Sequence, residues 1–207
     1  TPALELFLLQ RDDANGDDSV YRTDLSGQGA VPVFTHAQIE DFRATGAHLV
    51  MLVTNDDGLS SLIVTDRDGK NQRDLPLPGE GYVSNLQSAD RGETVGYTFS
   101  DSTLGAEGGR ESELFTTSLR GDDDTPQQIV VPGNESSVAD YRFVPGTDSL
   151  LVLTFDGRLV LTSVDASDAV ALGSAISIEE ISAGSAEAVV LRFEGMVAVD
   201  LTDGTEH

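Results

Sequence analysis

Near the start of the chain, acidic and amide side chains alternate in a way that suits an ion-binding loop. Asp13, Asn15 and Asp17 occupy every second position, which would turn their oxygens toward one cation as in a calcium loop. The glycine expected next is replaced by Asp18, and no glutamate follows at the required distance. The alternative interpretation is a polar hairpin turn at Asn15-Gly16. We therefore predict no bound cofactor and keep calcium as the open alternative.

Other residue types that do chemistry are scattered. The histidines His36, His48 and His207 stand too far apart in the sequence to predict a metal centre. His48 adjoins an apolar run and is interpreted as a structural polar residue, while His36 is placed at a link between repeats. The sequence contains no Gly-x-Ser-x-Gly elbow and no phosphate-binding Gly-x-x-x-x-Gly-Lys loop. We predict no catalytic, cofactor-binding or metal-binding residues, and favour a non-enzyme while leaving that question open.

Composition excludes several classes of partner. The 207 residues include 36 acidic and 12 basic side chains, which gives a formal net charge of −24. This charge repels the phosphates of nucleic acids and of anionic membranes, so neither is an expected partner. Cysteine is absent, which excludes a disulfide scaffold. No apolar run is long enough for a membrane-spanning helix, and the first residues do not resemble a signal peptide.

A short sequence motif recurs five times and indicates which strands and turns position these side chains. It is an apolar, β-prone run, usually followed by Thr and Asp and then a turn, as in residues 20–27 and 62–69. The equivalent positions in the five copies are Asp24, Asp66, Ser118, Ser163 and Asp200, in steps of 42, 52, 45 and 37 residues. A four-stranded propeller blade takes about 40–45 residues. The predicted fold class is therefore all-β, a β-propeller of four-stranded antiparallel blades with five repeats visible.

The two end repeats are predicted to be incomplete. We expect one domain over residues 1–207, with approximate repeat units 1–36, 37–81, 82–136, 137–175 and 176–207. Residues 4–9 match the second strand of later units, and the last unit ends at its third strand. The chain is thus interpreted as a fragment of a larger propeller or as an open array. Because open sheet edges invite association, a protein partner is expected.

Turns and one long insertion complete the prediction. Gly69 and Gly121 are expected in turns that need an unusual backbone angle. Residues 101–111 form the longest predicted hairpin insertion, either a binding loop or a tolerated, mobile one. Asn134 begins a glycosylation sequon, which matters only in a host that uses one.

Residues 143–153 carry a resemblance to a known family. The stretch Phe-Val-Pro-Gly-Thr-Asp-Ser-Leu-Leu-Val-Leu is similar to the core of TolB-like or PD40 repeats, a WD40-like branch of β-propellers. In that family an aromatic residue precedes Pro-Asp-Gly and a buried strand, whereas here Gly146 follows Pro145. The resemblance implies a propeller and an extracytoplasmic bacterial setting (periplasmic, secreted or envelope-anchored). It implies no particular ligand.

Three functional hypotheses remain open at this point. The first is a non-catalytic propeller module that binds another protein or a cell-envelope component. The second is the propeller portion of a larger enzyme, a peptidase or a glycan-processing lyase, whose catalytic part lies elsewhere. The third is an acidic binder of cations or small ligands in a central channel. The repeats, the expected open ends and the lack of a catalytic motif favour the first.

The charge argument makes a direct prediction about nucleic acids. We expect no measurable affinity for duplex DNA at physiological salt, because binding normally needs a basic face that releases counterions. Fluorescence anisotropy with a labelled duplex measures this affinity. Tight binding under those conditions would overturn the argument.

Overall fold

The computed structural model describes residues 5–11, 16–89, 93–104, 112–120, 124–131, 137–165, 168–182 and 186–207. Within these ranges the chain forms eighteen β-strands and one short 3₁₀ helix. The strands group into five antiparallel sheets. No helix in the described ranges is long and apolar enough to cross a membrane.

In every sheet the strands follow one another in chain order, as a meander. Sheet 1 contains β1 (Glu5–Gln10), β2 (Asp18–Asp24) and β3 (Val31–His36). Sheet 2 contains β4 (Ile39–Ala44), β5 (His48–Thr54), β6 (Ser60–Asp66) and β7 (Arg73–Leu75). Sheet 3 contains β8 (Gly81–Ser88), β9 (Thr94–Asp101), β10 (Glu113–Ser118) and β11 (Gln127–Gln128), with the 3₁₀ helix Ser102–Leu104 after β9. Sheet 4 contains β12 (Val138–Phe143), β13 (Ser149–Thr154), β14 (Arg158–Ser163) and β15 (Ala169–Ser174), and sheet 5 contains β16 (Ser177–Ile181), β17 (Glu187–Arg192) and β18 (Gly195–Asp200).

The first strands of sheets 2 to 5 form the inside of this arrangement. β4 contacts β8, β8 contacts β12, and β12 contacts β16, so successive sheets radiate from a line of first strands. Sheet 1 begins with β1, whose pairing with β2 matches that of β5 with β6, and the described part of sheet 1 has no strand equivalent to β4. Sheet 5 has three strands, with Glu206 bridging to Val199 beside β18. The predicted all-β propeller architecture with incomplete end sheets is confirmed, and the described sheets do not close into a ring.

Apolar side chains fill the spaces between consecutive sheets. Each internal sheet has a forward face, which packs on the next sheet, and a backward face, which packs on the previous one. In β5 the five central residues are all buried, because alternate side chains enter the cores on both sides. Val50 and Leu52 join the cluster shared with sheet 3, while Leu49 and Met51 join the one shared with sheet 1. Each such side chain contributes about 1.5–3 kcal/mol of transfer free energy.

A hydrogen bond repeats at every boundary between sheets. The acceptor lies at, or just before, the first residue of β2, β6, β10 or β14, and the donor is a main-chain N–H at, or just before, the first strand of the next sheet. The donor and acceptor pairs are Ile39 N with Asp18 Oδ2 (3.0 Å), Val83 N with Ser60 Oγ (2.9 Å), Val138 N with the Ser112 carbonyl (2.8 Å) and Ala175 N with the Gly157 carbonyl (2.8 Å). Because a buried N–H without a partner costs about 1–3 kcal/mol, these bonds fix where each first strand begins.

The recurring Thr-Asp motif forms the turn that follows β2 in sheet 1 and β6 in sheet 2. Asp24 Oδ1 accepts a hydrogen bond from Ser26 N at 2.8 Å, and Gly27 N donates to the Asp24 carbonyl at 3.0 Å. The Ser26 hydroxyl and main-chain N–H hold the pKa of Asp24 below its ordinary value. Asp66 repeats the arrangement, and Gly27 and Gly69 have φ angles of +73° and +76°. The left-handed turn expected at Gly69 is thus present, and Gly121 lies outside the described residues.

These two glycines make a matched pair for testing the contact between sheets 1 and 2. A Cβ at Gly69 would lie 1.8 Å from the Val33 carbonyl oxygen, whereas one at Gly27 would meet nothing within 4 Å. We expect Gly27→Ala to cost about 1–2 kcal/mol through backbone strain alone. Gly69→Ala should cost about 1–3 kcal/mol more, because β3 must also move. Urea unfolding measures both losses, and equal losses would contradict the packing of the Gly69 turn on β3.

Candidate functional site: a polar network on the inner strands

The inner strands share an irregularity that exposes polar side chains. In β4, β8, β12 and β16 the pairing with the second strand shifts near the same point. The residues at or just after the shift are Asp41, Asn85, Asp140 and Glu180. A β-bulge re-aims the side chain that follows it and bends the strand. The bulges therefore place one carboxylate or amide from each inner strand at an equivalent position.

Between sheets 3 and 4 these groups form a connected network. Asn85 Nδ2 donates to Asp140 Oδ1 at 2.9 Å, and Arg142 Nη1 donates to the same oxygen at 2.9 Å. Gln87 Nε2 donates both to Asn85 Oδ1 at 2.9 Å and to the Tyr141 carbonyl at 2.6 Å. The Tyr141 hydroxyl donates to the Asn85 carbonyl at 2.7 Å. The network ties β8 to β12 through both side chains and main chain.

Tyr141 is the buried anchor of this network. Its side chain is fully buried and meets the Phe143 ring edge-on at 6.1 Å. A Cβ at Gly96 would lie 2.9 Å from the Tyr141 ring, so only glycine leaves room for it. Burial raises the pKa of Tyr141 well above its ordinary value, although the positive charge of Arg43 acts in the opposite direction. Tyr141 is therefore a neutral hydrogen-bond donor at physiological pH rather than an acid–base group.

The carboxylates of sheets 2 and 4 are paired in the same way. Asp41 Oδ1 lies 2.5 Å from Arg43 Nη1, and Asp140 Oδ1 lies 2.9 Å from Arg142 Nη1. Each of these two pairs is thus electrically neutral. These pairs present a fixed array of hydrogen-bond donors and acceptors.

Two adjoining clefts lie between sheets 3 and 4, with volumes of about 420 Å³ and 360 Å³. Thr94, Ser118 and Val164 line both of them. Charged groups enter the smaller cleft, where Arg120 forms an ion pair with Glu93. The lining residues include hydroxyl groups and, in the smaller cleft, the carboxyl groups of Glu93 and Asp148, but no histidine or cysteine.

Of the three residues that the sequence suggested for a calcium loop, the structure describes only Asp17. Asp17 is exposed, Asp18 is occupied by its hydrogen bond to Ile39 N, and Asp13 and Asn15 lie outside the described residues. The calcium hypothesis is therefore not tested. In the described ranges no three His, Cys, Asp or Glu side chains are grouped to hold an ion.

The three histidines lie on three different sheets. His36 ends β3, in the link to sheet 2, with its Nδ1 3.2 Å from the Gln38 carbonyl oxygen. His48 begins β5 and is half-buried, and His207 N donates to the Ala198 carbonyl at 3.0 Å. Of the insertion at 101–111, residues 105–111 lie outside the described residues, as does the sequon at Asn134.

Comparisons with known proteins agree with the architecture. No family model and no curated protein matches the sequence. Among solved structures, a putative TolB from Agrobacterium tumefaciens is similar with a TM-score of 0.62 and 14% identity, over 100% of this chain and 80% of that one. A chain of a nidogen–laminin complex gives a TM-score of 0.56 and 13% identity, over 98% of this chain and 78% of that one.

A prolyl endopeptidase is also similar, with a TM-score of 0.67 and 11% identity. The match covers 99% of this chain but only 33% of the peptidase, so this chain spans about a third of that protein's length. At such low identities the likeness shows the fold alone. The chain thus has a TolB-like propeller fold.

The sequence contained a signal for the inner-strand network that was missed. Residues 41–43 read Asp-Phe-Arg and residues 140–142 read Asp-Tyr-Arg, at the same place in two repeats. The acidic–aromatic–Arg pattern corresponds to a bulge carboxylate, a buried ring and the guanidinium that pairs with the carboxylate. The partner Asn85 had no such signal, because it lies 55 positions before Asp140 in the sequence.

Removing one hydroxyl tests the network. We expect Tyr141→Phe to lower the free energy of unfolding by about 1–3 kcal/mol, because the buried Asn85 carbonyl loses its donor. Tyr82 is 53% exposed on β8, so Tyr82→Phe is the matched control and should change little. Chemical denaturation of both variants measures the difference. Equal stability of Tyr141→Phe and the wild type would contradict the network.

Proposed function

We propose that residues 1–207 act as one non-catalytic β-propeller domain that binds another protein or a cell-envelope component. The observation that carries this proposal is the pairing of the inner-strand groups with one another. Asp41 with Arg43, and Asp140 with Arg142, present a rigid polar surface with side chains about a quarter to two-fifths exposed. Such a surface is suited to recognising a partner by hydrogen bonds and charge pairs.

The similar structures support a protein partner and an extracytoplasmic location. One of them belongs to a nidogen–laminin complex, which is an assembly of two proteins, and another is a putative TolB. We infer a periplasmic, secreted or envelope-anchored bacterial setting for this chain. The net charge of −24 further favours a partner with a basic contact surface, because opposite charges speed encounter and suppress wrong partners.

The partner is sought by chemical cross-linking in an envelope fraction, followed by mass spectrometry and a binding measurement with the purified partner. A folded protein of equal size and charge serves as the control. We expect a saturable complex that the variants Arg43→Ala and Arg142→Ala weaken at least tenfold. Recovery of the same proteins by the control, or unchanged affinity of both variants, would contradict the proposal.

A second candidate function follows from the match to the prolyl endopeptidase. Since this chain aligns with about a third of that protein, it also fits the propeller portion of a larger enzyme. That candidate predicts a hydrolase segment in the same reading frame. Sequencing the gene on both sides of this segment decides between the two.

Calcium binding is checked by thermal unfolding. We expect the melting temperature to rise no more with calcium than with magnesium, because Asp18 is engaged with Ile39 N and the loop lacks the glycine of a calcium site. The opposite result would be a rise in melting temperature that is specific to calcium, is lost in Asp13→Ala and is kept in the control variant Asp56→Ala. That result would support the third hypothesis, an acidic binder of cations or small ligands.

A further inference from the structure

The two adjoining clefts between sheets 3 and 4 form one continuous opening, because they share Thr94, Ser118 and Val164. Sheets 3 and 4 are both internal, and apolar clusters cover them on either side. The opening therefore does not depend on the first or the last sheet. No residue of the inner-strand network lines it, so it is a separate feature of the same boundary.

On the sheet 3 side, the cleft is polar where neighbouring sheets are aliphatic. By strand pairing, Thr116 corresponds to Val64 of sheet 2 and to Leu161 of sheet 4. Val64 and Leu161 pack in the apolar clusters of their own boundaries. Thr116 instead lines the larger cleft, and its hydroxyl donates to the Val164 carbonyl at 3.3 Å. This boundary thus has a hydroxyl at a position that the apolar cores of two other boundaries use.

The residues beside Thr116 are also small. Thr94 takes the place that His48 has in sheet 2, and Ser118 takes the place of Asp66. In both cases the side chain in sheet 3 is the shorter one. The sequence therefore leaves more space here than between sheets 2 and 3, and it surrounds that space with hydroxyl groups.

A buried hydroxyl on the sheet 4 side has no partner. Thr162 is 2% exposed and, by strand alternation, faces sheet 3 as Val164 does. The equivalent hydroxyls of Thr23 and Thr65 donate to main-chain carbonyls at 3.1 Å and 2.8 Å. The Thr162 hydroxyl has no hydrogen-bond partner within the described residues. Because a buried polar group without a partner costs free energy, this wall favours a ligand that offers hydrogen bonds.

The charges of the cleft select against anionic ligands. In the smaller cleft, Glu93 and Asp148 supply two carboxylates and Arg120 one guanidinium, which is already paired with Glu93. A negatively charged ligand would therefore be repelled. No three metal-binding side chains are grouped in the part of the chain that the structure describes, so the lining does not form a cation site.

The remaining chemistry suits a neutral ligand with many hydroxyl groups. Serine and threonine hydroxyls donate and accept hydrogen bonds, and Gln127 adds an amide that does both. A sugar ring carries the same dual-purpose hydroxyls on its edge and C–H groups on its faces. Val164 supplies an apolar surface for such a face in both clefts.

We propose that the opening between sheets 3 and 4 binds a neutral saccharide. Thr94, Thr116 and Ser118 hydrogen-bond its hydroxyl groups, and Val164 packs on the face of a sugar ring. The cleft volumes of about 420 Å³ and 360 Å³ lie within the range of about 300–1,000 Å³ that small-molecule sites occupy. The site lies apart from the inner-strand surface proposed for a partner, and neither proposal depends on the other.

Saturation-transfer NMR and titration calorimetry test the proposal with the full chain, using glucose, galactose and N-acetylglucosamine as probes. We expect saturable binding of at least one of the three. Thr116→Leu copies Leu161 of sheet 4 and fills the cleft, so it should weaken that binding about tenfold or more. Thr35→Leu is the matched control, because Thr35 is exposed on β3, and it should bind like the wild type.

Two milder variants keep the size of the cleft and remove single hydroxyl groups. Thr94→Val and Thr162→Val should each weaken binding. Thr162→Val should also leave the melting temperature undiminished, because its hydroxyl has no partner in the described structure to lose. Thermal unfolding followed by circular dichroism measures the stability of each variant and shows whether Thr116→Leu is folded.

Three results would overturn the saccharide site. The first is the absence of saturable binding for all three sugars. The second is unchanged affinity in Thr94→Val or in a folded Thr116→Leu. The third is an equal loss of affinity in Thr35→Leu, which would show that the sugar binds elsewhere on the chain.

Discussion

Mutual covering of consecutive sheets is the constraint on which the structure depends. A sheet such as sheet 2 buries both faces, with Val50 toward sheet 3 and Met51 toward sheet 1. Neither face would be stable in water, because each exposes several large apolar side chains. The order of the sheets therefore follows from the chain, because sheets 1 to 4 each supply a forward face that the next sheet covers.

Hydrogen bonds fix the relative positions of the inner strands, which the apolar contacts between sheets already hold together. The hydrogen bond from Ile39 N to Asp18, and its three counterparts, set where each inner strand begins. The network around Tyr141 then fixes neighbouring inner strands at their bulges. Its charged members pair with each other, so the surface near the axis is rigid and suited to recognition.

Much of the fold could be predicted from the sequence, because local signals repeat. The Asp-x-x-Gly turns at Asp24 and Asp66, and the apolar run of β5, each specify their structure within a few residues. The ends of the outer strands are not specified in this way: β7 contains only Arg73–Leu75, and the repeated motif gives no signal for where it begins or ends. The inner-strand network could not be predicted, since contacts such as Asn85 to Asp140 join residues far apart in the chain and depend on bulges.

Hydrogen exchange in dilute solution tests the mutual covering of the sheets most directly. Amides of β5, β9 and β13 lie in sheets with both faces covered. They should exchange far more slowly than those of β1 and β18, because exchange in a central sheet requires opening two interfaces. Uniform protection across the five sheets, or the slowest exchange in β1, would contradict this account.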